Sequence, residues 1–105
     1  MSYSLRITDI AERDILASAT HISDAPKNPA AANSLLDEIE KRGKTLEETP
    51  NIYPLVRDEH LAGKGLRHAP AKNYLLFFTA DEAGKAADVV RFLHGRRNWK
   101  SILAN

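Results

Sequence analysis

The stretch that most constrains the fold is residues 87–103, ADVVRFLHGRRNWKSIL. Val89, Val90, Phe92 and Leu93 form a β-branched and aromatic run, which predicts a strand. The run breaks at Gly95, inside His94-Gly95-Arg96-Arg97. It closes as a short helix, with Asn98 as N-cap and Trp99, Ile102 and Leu103 on its apolar face. A buried strand thus delivers one histidine and two arginines to the place where a sheet ends. The rest of the chain reads as the scaffold that holds this place still.

Residues 3–8 alternate, with Tyr3, Leu5 and Ile7 on one side, which predicts a half-buried strand. Asp9-Ile10-Ala11-Glu12 has capping-box spacing with Asp as the cap. Ala11, Ile15, Ala19 and Ile22 then recur at helical spacing beside Leu16, and the helix is expected to end near Ser23, before a turn over 24–28. Asn28-Pro29 starts a second helix, because a proline at the first helical position forfeits no hydrogen bond. Its apolar face is Ala32, Leu35, Leu36 and Ile39, extended by Leu46. Gly43 weakens that helix by about 1 kcal/mol relative to alanine, and Thr49-Pro50 ends it. Residues 50–65 read as a loop with one short helical turn near 58–61. A short strand follows at 66–69, then a turn at 70–72. Residues 73–79 form a strand whose unbroken Tyr74–Phe78 apolar run needs cover on both faces, so it belongs inside the sheet. A hairpin connection over 81–86 precedes the last strand.

The predicted class is α+β in the order β-α-α-β-β-β. A helical hairpin lies on one face of a small, mainly antiparallel sheet, with a short C-terminal helix. Residues 1–105 make one domain. The chain has no cysteine, which excludes disulfides and thiolate metal sites. No apolar run reaches the ~18 residues needed to span a membrane, and no signal peptide is visible, so a cytoplasmic location is the expectation. The net charge of +1 hides an asymmetry: residues 1–52 carry −3 and residues 53–105 carry +4. The basic surplus lies with the later strands and the tail, where it suits an anionic partner.

With the whole chain in view, four features together resemble the RelE/ParE superfamily of type II toxins. They are Ala11-Glu12-Arg13-Asp14 after the first strand, the Ala30-Ala31-Ala32 helix running to Leu46-x-x-x-Pro50, Leu66-Arg67 before NYLLFF, and the RFLHGRRNWKSIL ending. The resemblance implies a toxin that takes part in plasmid stabilisation or growth inhibition. It would be neutralised by a cognate antitoxin in a higher-order complex. The superfamily has two branches, one cleaving messenger RNA on the ribosome and one associated with DNA gyrase, and the shared scaffold does not separate them. The ending Leu93-His94-x-Arg96-Arg97-x-Trp99 resembles the ParE-type branch more closely.

Metal-free RNA cleavage needs a base, an acid and cations around the phosphorane. The residues able to contribute are Arg67, His68, Tyr74, Arg91, His94, Arg96 and Arg97. Nuclease members typically carry an arginine after the aromatic of the central hairpin strand, where this chain has Leu75. They typically end in an acid–base tyrosine, where it has Trp99, which transfers no proton. The first expectation is therefore a toxin that binds its target through Arg91, Arg96, Arg97 and Trp99, with DNA gyrase as that target. One alternative is an mRNA endonuclease with an altered set drawn from His68, His94, Arg67 and Arg96. Another is an inactive module that only binds antitoxin. Whether the chain is an enzyme stays open. Each residue also has a plainer role: Arg96 and Arg97 solvating a strand end, His94 packed, Arg67 guarding an edge, Tyr74 in the core, Trp99 anchoring the tail. With no Gly-rich phosphate loop and no metal-spaced histidines, no cofactor or metal is expected.

Overall fold

The structure, a computed structural model, describes residues 2–24 and 28–104. Strand β1 (Ser4–Ile7) leads into helices α1 (Asp9–Asp24) and α2 (Pro29–Glu48). A 3-10 turn (Pro50–Ile52) and the short helix α3 (Glu59–Gly63) come next. Strands β2 (Arg67–Ala71), β3 (Tyr74–Asp81) and β4 (Ala86–His94) and the tail helix α4 (Trp99–Leu103) complete the chain. The sheet order is β1-β4-β3-β2. β1 runs parallel to β4, and the other two pairings are antiparallel. The fold class read from sequence is the one observed.

Local chemistry explains the boundaries. The cap of α1 is Thr8 rather than Asp9: its Oγ1 accepts from the Ala11 N–H at 3.2 Å. Asn28 caps α2 through the Ala31 N–H at 3.1 Å, with Pro29 in the first helical position as expected. Residues 25–27 of the expected turn between these helices lie outside the described residues. Asp58 caps α3. Asn98 precedes α4 without a side-chain capping bond. β2 starts one residue later and ends two later than its pattern suggested, and Lys72 takes the positive φ of the tight turn. Pro70 fits inside that strand because β2 is an edge, where a missing N–H breaks no ladder bond.

The sheet is covered on both faces, which is why β3 is continuously apolar. Leu76 and Phe78 point into the core under the hairpin with Leu35, Leu46, Ala69, Val89 and Phe92. Phe77 points the other way, into a second cluster with Val56, Leu61, Leu66 and Leu93, closed by Trp99, Ile102 and Leu103 from α4. A bulge in β4 opposite Phe77 and Phe78 makes this possible. Val89 and Phe92 are three residues apart, so strict alternation would send them to opposite faces. One extra residue returns both to the hairpin side. On the helices, Leu46 extends the apolar face as expected and is fully buried, while Leu36 and Leu16 are 40% and 60% exposed. Gly43 faces β1: a Cβ there would stand 3.1 Å from Leu5 Cδ2, so glycine lets α2 approach the strand closely.

Candidate functional site at the end of the sheet

β4 is longer than its parallel neighbour. β1 stops at Ile7, and the last β1-side backbone bond is Thr8 N–H to the Val89 carbonyl at 3.0 Å. Beyond it, β4 needs another partner for its outward N–H groups. Asp14, on α1, supplies one. Its Oδ2 accepts the Phe92 N–H at 3.0 Å, and its two oxygens accept Arg91 Nε at 2.7 Å and Nη2 at 3.1 Å. The Asp of the Ala-x-x-Asp pattern therefore closes the strand edge and neutralises Arg91, while its Ala11 is packed in the core.

The strand then leaves the sheet through a fixed turn. Gly95 N–H donates to the Asn73 carbonyl at 2.8 Å, Arg96 N–H to His94 Nδ1 at 3.1 Å, and Arg97 N–H to the His94 carbonyl at 3.0 Å. A Cβ on Gly95 would lie 3.3 Å from that Asn73 oxygen, which accounts for glycine here. His94 packs edge-on to Tyr74, 5.1 Å between ring centres, and Tyr74 stacks on Phe92 at 4.9 Å and 9°. Arg96 and Arg97 are exposed and have no carboxylate partner among the described residues. Trp99 packs on Phe77 at 5.4 Å, and the Lys100 ammonium stands 5.8 Å from its ring centre.

The remaining candidates lie elsewhere. Arg67 donates from Nη1 to the Tyr53 carbonyl at 2.6 Å, and so ties the 53–55 segment to the β2 edge. His68 is half-buried beside Phe77, on the α3–α4 side. Its Nδ1 is buried without a partner among the described residues, and burial, reinforced by Arg57, pushes its pKa below the usual histidine value. His94 pairs with Tyr74 on the hairpin side, so the sheet stands between the two histidines. Three residues along and two strands across, their backbones are about 14 Å apart by ideal strand spacing. The four residues of the altered nuclease set thus do not converge: His68 is on one face, Arg67 on the other, and His94 and Arg96 at the strand end. Leu75 is half-buried in the α3–α4 cluster. No group of three His, Asp or Glu side chains suited to a metal occurs among the described residues.

Asp14 and His21 are the site residues that the sequence pattern left without a role. The available signal was a polar stripe, Asp14, Ser18 and His21, at helical spacing beside the apolar face of α1.

A four-stranded mixed sheet under a helical hairpin is a fold that this chain shares with chains from two toxin–antitoxin systems. One protein of the "Chromosomal ParDE TA system from P. aeruginosa" superposes with a TM-score of 0.70 at 20% identity, covering 89% of this chain and 96% of that one. A chain of the RelBE2 toxin–antitoxin complex from Mycobacterium tuberculosis superposes with a TM-score of 0.60 at 19% identity, covering 90% of this chain and 99% of that one. No curated protein matches the sequence significantly. The family model described as the ParE toxin of the type II toxin–antitoxin system parDE matches residues 5–99, and the chain belongs to that family.

Proposed function

We propose that this chain inhibits growth by binding DNA gyrase through the end of its sheet, and that a cognate antitoxin holds it off in a larger toxin–antitoxin complex. The observation that carries the reading is the pair Arg96 and Arg97. They are exposed on a turn fixed by three backbone-donated hydrogen bonds, and neither has a carboxylate partner among the described residues. The fixed turn leaves little backbone entropy to be lost when a partner binds the two side chains. Trp99 adds an aromatic surface beside them. Arg91, expected in the same contact set, contributes through Asp14 by fixing the strand end. The membership in the ParE family and the similarity to chains from ParDE and RelBE complexes support the antitoxin as partner.

Catalysis of RNA cleavage is the weaker reading. The two histidines of the altered set, His68 and His94, lie on opposite faces of the sheet and cannot serve one phosphodiester together. Pulse-labelling of DNA and protein synthesis after induction of the chain alone separates the two. The gyrase reading predicts that DNA synthesis fails first, with a damage response. Collapse of protein synthesis within minutes, with DNA synthesis continuing, would overturn it.

A further inference from the structure

A cleft of about 210 Å³ opens between α1 and the end of β4, on the hairpin side of the sheet. α1 contributes Asp14, Ser18 and His21; Tyr74, His94 and Arg97 face them from the strand end. The cleft is rich in donors. The His21 ring, the Tyr74 hydroxyl and the Arg97 guanidinium have no hydrogen-bond acceptor among the described residues. His94 Nδ1 accepts the Arg96 N–H, so the neutral ring carries its proton on Nε2, which makes that nitrogen a fourth donor. The lining carboxylate does not oppose an anion: both Asp14 oxygens are taken by Arg91, and Oδ2 also by the Phe92 N–H.

The geometry points to a binding site for a phosphate monoester in this cleft. Four donors from three parts of the chain suit the several oxygens of a tetrahedral oxyanion better than the two of a flat carboxylate. The space is about seven water volumes, more than a bare phosphate fills. Ala17 and the edge of Phe92 add apolar surface to it, which accepts the organic part of an ester. The two arginines of the tail also divide here. Arg97 lines this cleft, whereas Arg96 lines a neighbouring one with Asn73 and Gly95, and His94 borders both. The site does not rest on the gyrase reading and stands or falls without it.

The test follows the imidazole resonances of the full chain by NMR, at constant ionic strength set with chloride, as inorganic phosphate or uridine 5′-monophosphate is added. The expected result is saturable shifts at His21 and His94 with His60 and His68 unmoved, and the nucleotide binding at least threefold tighter than inorganic phosphate. Arg97→Ala weakens both ligands at least tenfold, and Arg96→Ala less than twofold. His21→Gln, on a different element, weakens them as well and guards against a folding defect in the arginine variant. Non-saturating shifts, equal shifts at all four histidines, or equal losses in the two arginine variants would overturn the site. A nucleotide no tighter than inorganic phosphate would remove the ester.

Discussion

Arg91 and Arg97 are six residues apart at the end of one strand, and the fold treats them oppositely. Arg91 lies in a bidentate pair with Asp14, at side-chain exposures of 26% and 17%. Arg97 stands on the exit turn without a carboxylate among the described residues. The first cation is spent on structure: with Asp14 it seals the stretch of β4 that the shorter β1 leaves unpaired. The second remains available to a ligand or partner. Residue type alone does not distinguish them. The distinction comes from where the parallel neighbour strand stops.

Removing the acceptor should break this contrast most sharply. Asp14→Ala leaves the Phe92 N–H and a half-buried guanidinium unpaired, an expected loss of about 2–4 kcal/mol in urea unfolding. A loss below ~0.5 kcal/mol, the size of an ordinary surface change, would make Arg91 as free as Arg97. Trp99→Ala tests whether the tail is docked by packing. The half-buried indole predicts a loss of about 1–2 kcal/mol, and α4 should lose amide protection ahead of the sheet.

His68 sharpens the comparison from the opposite face, as a half-buried ring whose Nδ1 has no partner among the described residues. Its folded pKa is lowered, so between that value and the unfolded value of about 6.5 the unfolded chain binds more protons. Its contribution is therefore complete above about pH 6.5 and is lost as the pH falls from there through the lowered folded value. Urea midpoints at pH 7.5 and 5.0 should fall less for His68→Leu than for the parent chain. An equal fall would place the acid sensitivity elsewhere. The smallest stability change belongs to Arg96→Ala and Arg97→Ala, each expected within about 0.5 kcal/mol, although the double variant should no longer inhibit growth.

Periodicity and punctuation made most of the fold legible. The helical hairpin followed from Asn28-Pro29 and the two apolar stripes. The interior place of β3 followed from its unbroken apolar run. The bulge in β4 was hidden, because VVRFL alternates well enough as a plain strand and only the shared core contact of Val89 and Phe92 exposes the extra residue. Thr8 does not stand out as the cap, because Asp9 offers the same capping chemistry one position later. At the site, Arg96, Arg97 and Trp99 were visible as a motif. The division of labour between Arg91 and Arg97 was not, since it depends on Asp14 some 77 residues earlier in the chain. His21 was invisible for the same reason: it joins His94 only across the gap between α1 and the end of the sheet.

The most direct test of the account is DNA gyrase supercoiling in the presence of the purified chain and of its Arg96→Ala/Arg97→Ala variant, with melting temperatures recorded alongside. The account predicts inhibition by the parent chain and none by the variant, at matching melting temperatures. Equal inhibition by both would contradict the assignment of the strand end as the contact surface, and an uninhibited gyrase with the parent chain would contradict gyrase as the target.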